Sequence, residues 1–425
     1  MKKHWLLLIA VSVVFLSTTA VFAEGKSFEG VNIAILIHPT LYNSTGGNEG
    51  QIAAFEKKTG ARVTVVKAPI GEIKEKMFME FMVKSDRYDV MTTQTSEENA
   101  DLFQYAEPLD TYLDKTGDDY DKKDLIPSLV NASRYKGKLY GIPCRYGTNM
   151  LYYRTDLMKA AGLDVPKNWQ EFTTAAQKLT TTGPSGNTIN GILLRGKGEE
   201  LVYDWLGVFY SKGGNLLTSD WKKSSVDSKA GIASAQLLAD YLKKGYLPAD
   251  FLAWGRDDYI TAMQQGRGAM GIYVSSYWGN FINPNTSKVA DKMGWALVPS
   301  DHGVAKGRSR SGGWYYTMNK FSKNKEAAWA LIEWLTNKEN QLEGALKFDN
   351  GAIRASVYRN PSYLAKFPLA EDWLESIANS TTDPAHPNMP QIIDALNTEL
   401  SMIIQGKKTA ADGMQDVAKK INKQL

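Results

Sequence analysis

The chain has 425 residues, of which 43% are hydrophobic, 23% charged and 11% aromatic. This length exceeds what one compact core usually holds and favours two lobes of ordinary size. The apolar fraction excludes a disordered or collagen-like chain. Lys and Arg number 50 against 46 Asp and Glu, and no single segment concentrates the basic residues. We therefore expect no nucleic-acid partner.

The beginning of the chain has the anatomy of a secretory signal peptide, predicted over residues 1–23. Lys2 and Lys3 give it a positive start, residues 5–16 are almost all apolar, and Ala23 closes a small-residue cleavage site. The alternative is an uncleaved N-terminal anchor, although the apolar run is short for a membrane span. No later segment approaches the roughly 20 apolar residues that a span needs. We expect the rest of the chain to be exported and soluble in the periplasm.

Cysteine and histidine are too scarce to suggest a metal or catalytic site. Cys144 is the single cysteine, so no disulfide can form within the chain, and a small buried filler is its expected role. Its distance from the predicted cleavage site argues against a lipid-modified N-terminus and favours a Gram-negative periplasm. His38, His302 and His386 remain after the signal peptide and form no zinc motif. The sequence thus predicts no metal, no cofactor and no enzyme.

The first part of the exported chain alternates short apolar runs with helical patterns. The predicted elements are strand 31–37, helix 51–58, strand 62–68, a helix through residues 73, 77 and 81, and strand 88–91. This alternation is typical of an open parallel sheet. Because ligands bind beyond the carboxyl ends of such strands, residues 38–44 and 92–95 form a candidate site.

The later part continues with more helices than strands. Asn168 is the predicted N-cap of a helix whose face carries Trp169, Phe172, Ala176 and Leu179. The remaining predicted strands are 189–194, 269–274 and 294–298, and the remaining helices are 199–212, 228–244, 257–265, 324–336, 391–405 and 410–423. No linker separates two domains, which suggests that extended strands cross between the lobes.

Three groups of motifs carry a family resemblance. They are residues 138–143 (KLYGIP) with 149–157 (NMLYYRTDL) and 166–172 (PKNWQEF), then 266–272 (GRGAMGI) with 276–278 (SYW), and finally 312–314 (GGW) with 327–335 (AAWALIEWL) and 340–341 (NQ). In this order, over nearly the whole exported chain, the set resembles family 1 of the extracellular solute-binding proteins, the sugar-binding receptors of ABC importers.

The resemblance implies a type II periplasmic-binding-protein fold, in which two α/β lobes joined by crossover hinge segments close on a ligand. By analogy, the crossings lie near residues 143–149, 266–270 and 312–315. Lobe one then comprises residues 24–145 and 268–312, and lobe two comprises 146–267 and 313–425. The implied partners are a small-molecule sugar or polyol and the membrane permease subunits of the importer, and the protein is expected to be a monomer.

Aromatic rings in predicted loops, at a crossing or after a predicted strand are the first candidates for ligand binding. A sugar offers apolar C–H faces to such rings, whereas its hydroxyls need polar partners, and an unpaired buried polar group costs about 1–3 kcal/mol. The predicted aromatic contacts are Trp205, Trp254, Tyr277, Trp278 and Trp314, with Tyr42 closing the cleft from lobe one. Trp169, Trp329 and Trp334 follow helical spacing and are expected in the core.

Polar side chains at strand ends and charged side chains expected to face the cleft are the predicted hydroxyl partners. They are His38, Asn43, Gln94, Arg145, Arg195, Glu199, Arg256 and Asp257. Arg256 and Asp257 have an alternative role, pairing with each other or capping the following helix. The family commonly places a carboxylate against sugar hydroxyls, and Glu199, Glu200 and Asp257 compete for that role here.

Two other functions stay open from the sequence alone. A secreted carbohydrate-active enzyme would need two carboxylates roughly 5 to 10 Å apart across the cleft, and no such pair stands out. A receptor for a non-sugar solute, such as an opine or a phosphodiester, would share the same fold.

Overall fold

The computed structural model describes residues 27–94, 103–183, 186, 188–348, 350–384 and 386–425. The predicted signal peptide and Thr95 lie outside these residues. The described strands are β1 (Asn32–Ile37), β2 (Arg62–Lys67), β3 (Val90–Gln94), β4 (Arg134–Tyr135), β5 (Lys138–Leu139), β6 (Ile142–Arg154), β7 (Thr181–Thr182), β8 (Thr188–Leu193), β9 (Gly268–Val274), β10 (Met293–Ala296), β11 (Arg310–Met318) and β12 (Thr381–Thr382).

Helices outnumber strands along the chain. The described α-helices are α1 (Pro39–Ser44), α2 (Gln51–Thr59), α3 (Ile70–Met82), α4 (Asp110–Asp114), α5 (Pro127–Ala132), α6 (Thr155–Ala160), α7 (Trp169–Leu179), α8 (Glu199–Ser211), α9 (Lys229–Lys243), α10 (Arg256–Gln264), α11 (Trp278–Ile282), α12 (Lys325–Thr336), α13 (Lys338–Lys347), α14 (Ala355–Tyr358), α15 (Pro361–Lys366), α16 (Ala370–Asn379), α17 (Met389–Ile404) and α18 (Ala410–Asn422). The N-cap prediction for α7 is confirmed, because the Asn168 side chain accepts a hydrogen bond from the Glu171 amide.

One large mixed sheet runs through the molecule in the order β2-β1-β3-β11-β6-β9-β8-β7. The strand β1 is parallel to both β2 and β3, and β8 is parallel to β9. In contrast, β11 is antiparallel to β3 and β6, and β6 is antiparallel to β9. The ends of these parallel pairs carry part of the predicted site, including His38 directly after β1 and Arg195 shortly after β8.

The long strand β6 connects two halves of this sheet. Residues 142–148 of β6 pair with β11, whereas residues 149–153 pair with β9. We call the half with β1, β2, β3 and β11 the first lobe, and the half with β7, β8 and β9 the second lobe. In the first lobe α12 packs against α2 and β11, and in the second lobe α17 and α18 pack against α9.

The strand pairing differs from the predicted division of the chain. Residues 268–312 were expected in lobe one, but β9 pairs with β8, and Ala269 and Met270 lie in the same core as Trp169. Residues 313–425 were expected in lobe two, but residues 314–318 pair with β3 of the first lobe. In both places the observed pairing differs from the prediction, which took the lobe boundaries from the family resemblance and not from strand pairing. The chain returns to the first lobe through β11.

No helix in the part of the chain that the structure describes combines the length and the apolar character needed to cross a membrane. Cys144 lies on β6 with 3% of its surface exposed. Burial raises the pKa of its thiol far above the usual value, which fits the expected role of a filler side chain.

Candidate functional site

His38 is positioned by the turn that connects β1 to α1. It is the N-cap of α1, and its Nδ1 accepts a hydrogen bond from the Thr40 amide at 3.2 Å. The imidazole centroid lies 4.9 Å from the Trp314 ring, with the planes inclined by 34°. Burial and the nearby Arg145 guanidinium lower the pKa of His38. Because Nδ1 accepts this hydrogen bond, Nε2 is the ring nitrogen that carries a hydrogen and can donate.

Three neighbouring strands bring Trp314, Gln94 and Arg145 side by side. Trp314 on β11 lies opposite Gln94 on β3 and opposite Arg145 on β6. All three side chains are partly exposed, as is His38. The first lobe therefore presents an indole ring surrounded by an imidazole, an amide and a guanidinium group, a combination of one apolar face and several hydrogen-bonding groups.

Tyr42 and Asn43 lie beside this group on α1. The Tyr42 ring is 8% exposed, its hydroxyl donates to the Asn48 side chain at 2.7 Å, and the Lys67 ammonium lies 4.7 Å from its centroid. Asn43 is exposed. Much of the Tyr42 ring is thus already covered, and ligand contact by either residue stays a prediction.

In the second lobe, Arg195 follows β8 and is bound by a buried carboxylate. Asp204 accepts hydrogen bonds from the Arg195 backbone amide at 2.7 Å, from Nε at 3.0 Å and from Nη2. Burial alone would lower the pKa of Arg195, but Asp204 raises it above its usual value. Glu200 lies 3.6 Å from the Nη1 atom of Arg195, and the Tyr273 ring centroid lies 4.6 Å from its guanidinium carbon. Arg195 is thus held inside the lobe.

Further aromatic rings follow Tyr273 at the end of β9. Its ring centroid lies 4.8 Å from that of Tyr277, which is partly exposed. The Trp278 ring stacks on Tyr152 at 6.0 Å and on Trp295 at 5.3 Å. Trp278 is also partly exposed, so it combines packing in the core with an accessible edge. Its contact with a ligand stays a prediction.

The loop that carries Trp254 lies against the end of β8. The Trp254 carbonyl accepts hydrogen bonds from the amides of Gly196 and Lys197, each at 3.0 Å. The Arg267 guanidinium lies 5.3 Å from the Trp254 ring centroid. Trp254 is partly exposed and its backbone contacts the two residues that follow Arg195, while its contact with a ligand stays a prediction.

The alternative role for Arg256 and Asp257 is confirmed in one respect. The Arg256 Nε lies 3.3 Å from Asp257 Oδ1, and their side chains are 55% and 90% exposed. The capping role falls to Asp258, whose carboxylate accepts the Gly255 amide at 2.9 Å. Arg256 and Asp257 thus form an exposed pair at the beginning of α10.

The prediction that Trp205 contacts a ligand is wrong. Trp205 lies in the middle of α8 with no exposed surface, and its ring stacks on Phe209 at 4.7 Å. Helical spacing turns this side of α8 toward the core of the second lobe. Glu199 in the first turn is exposed and accepts a hydrogen bond from the Tyr203 hydroxyl at 3.1 Å. It also lines a cavity of about 250 Å³ shared with Lys74 of α3.

Sequence reasoning missed Tyr273 and Asp204, two of the residues around Arg195 in the second lobe. It left Glu200 undecided. Tyr273 lies in the predicted strand 269–274 and Asp204 in the predicted helix 199–212, and neither was singled out. Glu200 was one of three competing carboxylates. A usable signal was present, because Glu200 and Asp204 are four residues apart and therefore share one face of a helix. Among the described residues, no three His, Cys, Asp or Glu side chains are grouped as a metal site.

Comparison with known proteins agrees with this architecture. A chain from Agrobacterium radiobacter, crystallised as an ABC transporter solute-binding protein in complex with ribitol, superposes with a TM-score of 0.79 at 25% identity, over 94% of this chain and 100% of that one. A homologous protein from Agrobacterium vitis with bound D-mannitol has a TM-score of 0.72 at 26% identity, over 93% of this chain and 97% of that one.

Sequence comparison points the same way. The mannitol-binding protein of Pseudomonas aeruginosa is 29% identical over 290 residues, which cover 64% of this chain and 63% of that protein. A probable amino-acid ABC transporter periplasmic-binding protein of Sinorhizobium fredii is 24% identical over 86% of this chain and 83% of its own length. The profile described as bacterial extracellular solute-binding protein matches residues 45–342. The chain therefore belongs to the family of bacterial extracellular solute-binding proteins.

Proposed function

We propose that this protein captures a sugar or a sugar alcohol between its two lobes and delivers it to the permease subunits of an ABC importer. The observation that carries the proposal is the grouping of rings and polar side chains at the strand ends of both lobes. His38 and Trp314 contact each other on one side, and Tyr273 contacts Tyr277 on the other. Ring faces suit C–H groups, while the neighbouring polar atoms suit hydroxyls.

The ligands of the relatives support this chemical class. One relative is a mannitol-binding protein, and two structural neighbours hold ribitol and D-mannitol. A third neighbour, from Thermotoga lettingae, holds α-D-tagatose and has a TM-score of 0.76 at 26% identity. Linear polyols and a monosaccharide share vicinal hydroxyls on a carbon chain. We infer that this chain recognises the same feature.

Lobe closure is the expected response to the ligand. The strands β6 and β11 pass side by side between the lobes, and Gly147 and Gly312 pair there. A Cβ atom at Gly313 would overlap the Tyr146 ring, so only glycine allows this close approach. A ligand that touches both lobes favours the closed form, because its full set of contacts exists only there. The closed form is then what the permease recognises.

Export to the periplasm completes the proposal. We propose that residues 1–23 act as a signal peptide that directs the protein to the periplasm, where an importer collects its substrate. We propose that the protein binds its ligand and releases it unchanged, since the family consists of binding proteins.

Thermal unfolding with and without ribitol, D-mannitol, D-tagatose and maltose tests the proposal. A ligand at a hundredfold excess over its Kd adds about 2.7 kcal/mol to the free energy of unfolding. We expect at least one of the four to raise the unfolding temperature, with unchanged ligand recovered afterwards. Stabilisation by none of them contradicts the proposed ligand class, and hydrolysis of maltose contradicts a role limited to binding.

A further inference from the structure

Exposed methionine occurs at one place in the part of the chain that the structure describes. Met79 has 60% and Met82 has 58% of its surface exposed. Both lie on α3, three positions apart, and therefore share one face of that helix. The other described methionines are buried or partly buried. The two exposed thioethers thus form a pair that a small solute can reach from solvent.

The buried face of α3 carries a third methionine whose sulfur atom is shielded. Met77 is 1% exposed and belongs to the same core cluster as Ile73 and Phe81, which are also buried. This face anchors the helix to the first lobe. A chemical change in Met79 or Met82 therefore leaves the contacts that hold α3 in place.

Met82 has a hydrogen bond at its sulfur atom. The Tyr105 hydroxyl donates to the Met82 Sδ atom at 3.7 Å. The Tyr105 ring stacks on Phe81 at 5.1 Å, with the planes inclined by 13°, and this stacking positions the hydroxyl. A thioether sulfur is a weak acceptor, and the hydrogen bond engages electrons that would otherwise be free to react. Because Met79 and Met82 have nearly equal exposure, this hydrogen bond should make Met82 the slower nucleophile.

We propose that Met79 and Met82 form an oxidation site that reacts with a two-electron oxidant of the peroxide class. A sulfur lone pair attacks one oxygen of hydrogen peroxide, so that an S–O bond forms while the O–O bond breaks. The leaving hydroxide takes up the proton of the transferred oxygen and departs as water. Each thioether loses two electrons and becomes a sulfoxide, and the peroxide is reduced to water. Met79 reacts first and Met82 follows.

The reaction changes the polarity of an exposed apolar surface. Phe78 and Val83, which are 53% and 74% exposed, are the sequence neighbours of the two methionines. Each sulfoxide adds a polar oxygen to this surface. Methionine sulfoxide reductases return the sulfoxide to the thioether, so the change is reversible. The oxidation site goes beyond ligand capture and does not depend on the proposed function.

Limited oxidation with hydrogen peroxide, followed by peptide mapping, tests the site. Trypsin cuts after Lys76 and Lys84 and releases all three methionines of α3 in one peptide, MFMEFMVK. Fragmentation of this peptide in a mass spectrometer gives the oxidation rate at each sulfur atom. In the folded protein, Met79 and Met82 should gain oxygen at least about tenfold faster than Met77. Equal rates at the three positions would overturn the proposal.

The same reaction in concentrated urea separates the effect of the fold from that of the local sequence. Unfolding exposes Met77, so the three rates should become similar. Selectivity that persists in urea would show that neighbouring residues in the chain cause it, which contradicts a site built by the fold. The folded protein should also keep its unfolding temperature after Met79 and Met82 are oxidised. A large fall would contradict a change confined to the surface.

Substitution of the methionines shows whether this pair accounts for the fast reaction of the whole protein. Met79→Leu combined with Met82→Leu should remove the fast phase of oxidation. Met402→Leu, at a partly exposed site on α17, is the matched control and should retain the fast phase. A fast phase that survives in the double variant would assign the reaction to another methionine and overturn the proposal.

Tyr105→Phe tests the hydrogen bond to Met82. The variant keeps the ring that stacks on Phe81 and removes the donor. Oxidation of Met82 should become about twofold faster or more, while the rate at Met79 stays the same. An unchanged rate at Met82, or an equal increase at both methionines, would contradict the order of reaction that we propose.

Discussion

The imidazole ring of His38 and the indole ring of Trp314 are 4.9 Å apart, although 276 positions separate them in the chain. The contact joins the end of β1 to the middle of β11. It forms because β3 lies between these two strands in the sheet, so that both side chains reach the same edge. Two of the predicted ligand contacts are thereby neighbours in the folded protein.

Trp314→Ala should weaken binding of the stabilising polyol by at least about tenfold, because the ring offers the apolar face of the first lobe. The ligand-free protein should keep nearly the same unfolding temperature, since the side chain is only partly buried. Calorimetry and thermal unfolding measure the two effects. Trp221→Ala, at an exposed site on the second lobe, is the control and should leave affinity unchanged. Unchanged affinity in Trp314→Ala would remove Trp314 from the site.

The stability of the protein should fall in mildly acidic solution partly because of His38. Burial, followed by the charge of Arg145, lowers the pKa of His38 in the folded state. The unfolded state therefore binds more protons between the lowered value and the usual value near 6.5, and stability decreases as the pH falls through that window. The groups that face His38 are Arg145, Trp314 and the Thr40 side chain.

Urea unfolding at about pH 7.5 and about pH 5 checks this effect. The difference between the two free energies of unfolding should be smaller in His38→Gln than in the unaltered protein. His302→Gln is the control. An equal difference in all three proteins would show that His38 does not titrate differently on folding.

Removal of Asp204 should be strongly destabilising. Asp204→Ala leaves the Arg195 guanidinium buried without its main partner, a change that typically costs about 3–5 kcal/mol. Asp257→Ala breaks an exposed pair and should cost below about 1 kcal/mol. Chemical denaturation of both variants measures the contrast. Similar losses in the two variants would mean that the burial of Arg195 is unimportant for stability.

Gly313→Ala should disturb the place where β6 and β11 cross between the lobes. Its new Cβ would meet the Tyr146 ring and the Arg145 carbonyl oxygen, neither of which can move freely within a paired strand. We expect a loss of about 1–3 kcal/mol in the free energy of unfolding. Gly279→Ala, where no atom lies within 4 Å of the added carbon, should be nearly neutral. Equal stability of both variants would contradict the close approach at Gly313.

Helices and strands with a clear local pattern could be predicted, whereas β6 and β11, the two strands at the centre of the sheet, were expected only as crossing segments. The predicted helix 410–423 corresponds to Ala410–Asn422, and the predicted strand 31–37 corresponds to Asn32–Ile37. The assignment of strands to lobes came from the family resemblance and differs from the observed pairing, which is a long-range property that local periodicity does not contain. The sequence showed an apolar strand at β9 but could not show that its neighbour is β8.

Some members of the candidate site could be predicted from their place in the strand pattern. Side chains whose direction depends on packing in the core could not. His38, Gln94, Arg145 and Trp314 were expected and lie together at one edge of the first lobe. Trp205 was placed wrongly because its direction from α8 depends on the core behind it. Asp204 was missed for the same reason, since a buried carboxylate in a helix is recognised only once its cation is seen.

The position of β11 has a consequence for the order in which this chain acquires its structure. It is the central partner of β3 and β6 in the first lobe, yet it is synthesised after the whole of β7 to β10. A nascent chain that ends before Arg310 therefore has an incomplete sheet with two unsatisfied strand edges. Such late, distant pairing is characteristic of slow folding. The first lobe can therefore complete its sheet only once residues 310–318 have been synthesised.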